Sequence, residues 1–256
     1  MDRIYNEIPK VIHYCWFGRK PLPELAIKCI NSWKLYFPDY EIKEWNEDNF
    51  DVFSIKYTRE AYESKKYAFV SDYARFWILY NYGGLYFDTD VEVIKDMDLI
   101  IMNGPFLGCE HSYIQGQDPS MLGVAPGLGI GSAPQMPLFK ELIDYYSTLS
   151  FYNNDGSFNQ TTIVQYTTNL LVKHGLKNTP HIQRCAGFNI YPKEYFCPIE
   201  YTTGELTVSD LTYTIHHYMA SWITTRQRIY VLIKKKFGEK VAQFISRVLK
   251  KCHIVK

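Results

Sequence analysis

The chain has 256 residues, 46% of them hydrophobic and 21% charged, with a formal net charge of +1. This length suits one large domain, or one domain with a small appendage, and the apolar content excludes a disordered chain. The near-neutral total hides an asymmetry: residues 226–256 hold ten Lys or Arg against one acid, Glu239, so that end carries +9 and residues 1–225 carry −8. A mildly acidic body with one basic end excludes a general nucleic-acid binder and points to a localised anionic partner for the end.

Lys10 to Trp16 is a short apolar run closed by Gly18, which predicts a buried strand. After Pro21 and Pro23, the apolar spacing over Leu25–Trp33 predicts a helix, and Tyr40–Trp45 alternates as a second strand. Tyr67–Tyr82 is apolar almost all round, as a buried helix is, with Gly83-Gly84 to end it. Leu85-Tyr86-Phe87 then reads as a strand leading into Asp88-Thr89-Asp90, with Val91–Ile94 continuing extended. Residues 105–131 are glycine-rich and are expected to be irregular. Pro137–Ser150 and Thr161–His174 are expected to be helical, and Tyr213–His216 a late strand. Strand and helix in alternation predict an α/β domain over residues 1–225, followed by a basic amphipathic helical tail over 226–256.

Six cysteines, Cys15, Cys29, Cys109, Cys185, Cys197 and Cys252, form no CxxC pair and no zinc-ligand spacing. There is no signal-peptide pattern and no apolar run of about 18 residues. The expectation is a cytosolic protein with reduced thiols.

Asp88 and Asp90 carry the chemistry. Two carboxylates one residue apart, at the carboxyl end of a buried strand, stand where open α/β sheets bind ligands. Hard oxygen donors of this kind suit Mg²⁺ or Mn²⁺ and leave room for diphosphate oxygens, although a solvated acidic turn has the same pattern. Asp72 and Arg75 lie three apart on the apolar helix and share a face. They read either as an internal ion pair or as a pair aimed into a polar cleft beside Asp88.

Ser71-Asp72-Tyr73-Ala74-Arg75 followed by Tyr82-Gly83-Gly84-Leu85-Tyr86-Phe87-Asp88-Thr89-Asp90 resembles the signature of the DXD sugar-binding glycosyltransferases of family thirty-two. That group includes initiating mannosyltransferases and bacterial polysaccharide enzymes, and is similar to the catalytic domain of large glucosylating toxins. Ile8–Gly18 and Tyr213–Trp222 resemble the same family's start and end. The resemblance implies a GT-A, Rossmann-like α/β fold with a mixed, mostly parallel sheet, and a retaining transfer from a nucleotide-sugar, UDP-linked rather than GDP-mannose, to a glycan or lipid-linked saccharide.

By position, Trp16 matches an aromatic that stacks on the base, and Asp72 and Arg75 match the pair that grips the sugar. Asp88 matches an acid that contacts ribose or sugar hydroxyls and neighbours the metal, and Asp90 matches the direct metal ligand. His216 matches a C-terminal metal or diphosphate ligand, with His217 as the rival. Ser221 and Trp222 match the pair that closes over the diphosphate. A histidine ligand favours Mn²⁺ over Mg²⁺. No covalent nucleophile is identifiable, and Asn159-Gln160 reads either as a polar loop or as an amide beside the anomeric carbon.

Ile229, Leu232, Ile233, Phe237, Val241, Phe244, Ile245, Val248 and Leu249 recur at helical spacing among the basic residues of the tail. Such a helix either docks on its own domain with a solvated charged face or lies on anionic lipid; the second would place the chain on the cytoplasmic face of a membrane and fit an acceptor carried on a membrane lipid, as in surface-polysaccharide assembly. A toxin-like protein glycosylator and a carbohydrate-binding protein without catalysis are the alternative functions.

Overall fold

Residues 7–200 and 203–219 are described by a computed structural model of the chain. β1 (Val11–Cys15) is buried from Ile12 onward, as a strand with neighbours on both sides must be. α1 (Glu24–Tyr36) buries Ala26, Cys29, Ile30 and Trp33, a stripe at helical spacing, with Glu24 in its first turn and Lys34 in its last to suit the helix dipole. β2 (Glu41–Trp45) and α2 (Lys56–Glu63) follow. α3 (Tyr67–Tyr82) has the predicted bounds, and its buried residues, among them Val70, Tyr73, Phe76 and Leu79, point to several sides, so it runs through the core. The ring of Phe76 meets that of Phe139 at 5.5 Å.

β3 (Gly84–Tyr86), β4 (Val91–Val93) and the short α4 (Asp98–Met102) come next. The stretch expected to be irregular contains β5 (Phe106–Gly108) and the start of β6 (Ile130–Ser132), with a single 3₁₀ turn between them. Three-residue strands are too short to show a period, which is why the sequence hides them. α5 (Pro137–Ser147) begins with proline in its first turn, and α6 (Ile163–Lys173) is opened by a capping box of Thr162 and Gln165. β7 (Gln183–Cys185), β8 (Phe188–Tyr191), α7 (Lys193–Phe196) and β9 (Thr214–His216) complete the described elements.

Seven strands form one sheet in the order β2-β1-β3-β6-β5-β8-β7. β1 is parallel to β2 and β3, β5 is parallel to β8, β6 is antiparallel to both its neighbours, and β7 is antiparallel to β8. Five strands therefore point one way, and β6 and β7 oppose them. The expected mixed, mostly parallel α/β sheet is what the chain forms. The carboxyl ends of β1, β3, β5 and β8 lie along one edge, the edge at which α/β sheets bind ligands.

β4 and β9 form a separate two-stranded ribbon. Its other side is held by α1: Ser32 Oγ accepts from the Val93 amide (2.9 Å), Trp33 Nε1 donates to the Val91 carbonyl (2.8 Å), and the Tyr36 hydroxyl donates to the Ile94 carbonyl (2.8 Å). The backbone of so short a strand is thus satisfied on both sides.

The chain divides into two compact units, Met1–Pro198 with Val208–His217, and Ile199–Thr207 with Tyr218–Lys256. Of the second, 199–200, 203–207 and 218–219 are described, and Glu200 and Glu205 pair there through a backbone bond of 2.8 Å. The boundary expected at residue 225, Ser221, Trp222 and the basic tail all lie outside the described residues. Among the described residues no helix is long and apolar enough to cross a membrane.

Candidate active site

The position of the acidic turn follows from the end of α3. Gly83 (φ +62°) and Gly84 (φ +101°) take backbone conformations that side chains disfavour. A Cβ on Gly84 would lie 2.6 Å from the Val11 carbonyl oxygen, so only glycine lets β3 close against β1 here. The buried His13 locks the junction. Trp45 Nε1 donates to its Nδ1 at 3.0 Å, which leaves Nε2 to donate to the Gly83 carbonyl, also at 3.0 Å. Burial lowers the His13 pKa to about 4. The Phe87 amide then bonds the His13 carbonyl (3.2 Å), and the chain turns through 88–91, with the Val91 amide on the Asp88 carbonyl (3.0 Å).

Arg75, 3% exposed, is shared between two carboxylates. Its Nη2 bonds Asp72 Oδ1 at 2.9 Å and approaches Asp88 Oδ1 at 3.1 Å, while Nη1 donates to Asp88 Oδ2 at 3.3 Å. Its Nε donates to the Ser71 carbonyl (3.3 Å), and the guanidinium lies 4.9 Å from the centre of the Tyr86 ring. The ion pair and the link to Asp88, which the sequence left as alternatives, coexist in one buried network. One guanidinium cannot neutralise two carboxylates out of water. Burial pushes the Asp72 carboxyl up to about 7 against the pull of Arg75, with Asp88 adding to the rise. Burial alone would favour the neutral form of Arg75, but the charges of Asp88 and Asp72 hold it firmly protonated.

Asp88, Asp90 and His216 each bring one ligand atom to a cluster in which all lie within 4.8 Å of one another. The register of the β4–β9 ribbon does this. Val91 pairs with His216, so the histidine stands beside the end of the acidic turn, with Nε2 3.3 Å from Asp90 Oδ1. Burial opposes charge on that imidazole, yet Asp90, followed by Asp88 and Glu110, raises its pKa. His217 faces elsewhere: its ring bonds Glu92 Oε2 at 2.8 Å, and Glu92 also takes Lys28 at 2.7 Å. Of the two candidates, it is His216 that the fold delivers to the acids.

Trp16 stands one residue past β1, level with the acidic turn by the β1–β3 register, and its indole donates to the Lys20 carbonyl at 2.6 Å. The Asn159 amide serves local structure instead of a site, donating to the Tyr166 hydroxyl (2.9 Å) and accepting from the Thr161 amide (3.0 Å). Three contributors escaped the sequence reading. Tyr86 donates to Asp88 Oδ1 at 3.3 Å while its ring supports Arg75. Gly127 accepts from the Asp88 amide at 3.4 Å, and a Cβ there would collide with Asp88 Oδ2. Glu110, part-buried, sets its carboxylate 3.5 Å from His111 Nε2, and its charge also acts on His216.

Residues 23–107 match the family described as the glycosyltransferase sugar-binding region containing the DXD motif, a span that includes Asp72, Arg75, Asp88 and Asp90. Over 113 residues the chain is 30% identical to inositol phosphoceramide mannosyltransferase 1 of Schizosaccharomyces pombe, covering 40% of this chain and 34% of that protein. Over 169 residues it is 26% identical to mannosyl phosphorylinositol ceramide synthase CSH1 of Saccharomyces cerevisiae, covering 64% of this chain and 41% of that protein. The chain therefore matches well under half the length of these relatives. Among solved structures it is similar to the PaToxG glycosyltransferase, with 18% identity, coverage of 66% of this chain and 70% of that one, and a TM-score of 0.45.

Proposed function

We propose, from the match of residues 23–107 to the DXD-containing sugar-binding region of glycosyltransferases, that the chain moves a hexose from a nucleotide-sugar to a saccharide or lipid-linked saccharide. The observation that carries this reading is the convergence of Asp88, Asp90 and His216 at the carboxyl edge of the sheet. Two carboxylates and an imidazole fit a divalent cation, Mn²⁺ more readily than Mg²⁺, and three protein donors leave coordination positions for a diphosphate. Asp90 and His216 would hold it directly, with Asp88 beside them. The cation supplies charge neutralisation at the leaving diphosphate.

The chain's own residues do the positioning. Arg75, anchored by Asp72 and Asp88, is a rigid set of donors for sugar hydroxyls, and Asp72 is the matching acceptor. Trp16 is assigned to the base, by stacking, and the family resemblance alone assigns Ser221 and Trp222, outside the described residues, to the diphosphate. Retention without a protein nucleophile follows if the acceptor attacks from the face that the diphosphate leaves. The relatives' names favour mannose as the hexose, hence GDP-mannose ahead of the UDP-sugars, and a lipid-borne acceptor. A cytoplasmic enzyme held to anionic lipid by the basic tail fits such an acceptor.

The test is nucleotide release from a panel of UDP-sugars and GDP-mannose, with Mn²⁺ or Mg²⁺ supplied. We expect one donor to turn over, and chelation or Asp90→Ala to stop it. Absence of binding and turnover across the panel, or full activity in the Asp90 variant, would sink the proposal. Sugar binding with no turnover would select the carbohydrate-binding alternative.

A further inference from the structure

The carboxyl edge of the sheet carries a second concavity that the donor site does not use. A cavity of about 220 Å³ opens beyond the ends of β5 and β8, floored by Cys109, Leu122 and Ile190, all buried. Its upper wall carries polar side chains, His111, Ser112, His181 and Glu194, together with the ring of Tyr113.

The same short ribbon serves this cavity and the acidic cluster. Past Gly108 the chain makes one isolated bridge, Cys109 to Val124, and then bends, with the Glu110 amide bonding the Gly123 carbonyl (2.8 Å) and the His111 amide that of Leu122 (3.1 Å). Cys109 and His111 line the cavity, and Glu110 between them holds its carboxylate 3.5 Å from His111 Nε2 while its charge also acts on His216. Only β6 separates β5 from β3, so the two strand ends are about 10 Å apart across the sheet.

The chemistry of the lining selects a ligand. No lysine or arginine is in it, and the Glu194 carboxylate is, so a neutral ligand is favoured over a phosphate. An apolar floor with an aromatic ring at the mouth suits the C–H faces of a sugar. Imidazoles, a hydroxyl and a carboxylate, each able to meet a hydroxyl as donor or acceptor, suit its edge. At roughly 30 Å³ per liquid water, the space corresponds to about seven waters, the size of a single six-membered ring with its hydroxyls.

We propose that this cavity binds one neutral pyranose ring and is the acceptor subsite, delivering a hydroxyl towards the Asp88–Asp90–His216 cluster. Its role as acceptor subsite rests on the transferase reading; its affinity for a sugar does not. Saturation-transfer NMR on the full chain without metal tests it, with methyl α-mannopyranoside, methyl β-glucopyranoside and methyl β-galactopyranoside as probes and glucose 6-phosphate as the anionic control. At least one glycoside should give a signal that drops about fivefold or more in Ser112→Trp, which fills the mouth, and in the double variant His181→Ala/Glu194→Gln, which keeps it open. Silence from all three glycosides, an undiminished signal in both variants, or a stronger signal from glucose 6-phosphate would each overturn the assignment. Calorimetry with GDP or UDP and Mn²⁺ on the same samples separates the two claims: failure there overturns the transferase and leaves the sugar cavity standing.

Discussion

Exchanging His13 for glutamine should change how the fold responds to acid. The unfolded imidazole takes its proton near pH 6.5, but the folded one, buried between Trp45 and the Gly83 carbonyl, only near 4. Between those values the unfolded chain binds a proton that the folded chain refuses. Stability that is complete above 6.5 is therefore lost as pH falls towards 4. From the two protonation equilibria the loss is about 2 kcal/mol at pH 5 and about 3 kcal/mol at pH 4. Glutamine offers the Gly83 carbonyl an amide donor and Trp45 an acceptor, and it does not titrate. Asp72, whose raised pKa gives the opposite slope, is common to both chains and drops out of the difference. Urea unfolding followed by circular dichroism at pH 7, 6, 5 and 4 gives the stability gap between the two proteins. The gap should shift in the variant's favour by about 3 kcal/mol from pH 7 to pH 4. A gap constant to within about 0.5 kcal/mol would mean that His13 is not held neutral, and the account of the β1–β3 junction would be wrong.

Asp90→Asn should weaken Mn²⁺ binding by calorimetry and lower nucleotide release by about 100-fold or more; equal affinity would remove Asp90 from the ligand set. Gly127→Ala puts a methyl group against Asp88 Oδ2, so the carboxylate must move, at a cost of about 1–3 kcal/mol in thermal unfolding and a larger loss of turnover; an unchanged protein would refute the close packing. Arg75→Met strands Asp72 and Asp88, both part-buried, and should destabilise the fold by about 3–5 kcal/mol in urea where both are ionised, most of it regained as Asp72 protonates, at higher pH than in the parent because Arg75 no longer pulls its pKa down. For the tail, anionic liposomes should recover the full chain and not one ending at Thr225; equal recovery would dismiss the membrane contact.

Much of the framework was legible because its signals are long or punctuated. α3 shows sixteen residues of unbroken helical character and a double glycine stop, and β1 and α1 show full burial stripes. α2 was missed because it is mostly polar and buries only Tyr57, Thr58 and Ala61. β7 and β8 were missed because three or four residues carry no period. At the site, Asp72, Arg75, Asp88 and Asp90 announce themselves as charges in apolar surroundings. Tyr86 looks like any core aromatic, and Gly127 like any glycine in a glycine-rich stretch. Their roles come from tertiary closeness to Asp88, which local sequence does not encode. His216 and His217 are adjacent in sequence, and only the pairing register of β9 with β4 separates their fates.

That register also limits how the protein can be taken apart. The segment 23–107 holds both acids of the turn and the Asp72–Arg75 pair, but not β1, which carries His13 and flanks β3, nor β6, which flanks it on the other side, nor β9, which brings the histidine. The contact between Glu92 and His217 spans 125 residues of chain. The segment 23–107 is thus half of the cluster's framework, completed by strands that arrive from before and after it. Expressed alone it would lack His216 and both strand neighbours of β3, so the proposed cation binding would report on the integrity of the chain from Val11 to His216 and not on a detachable module.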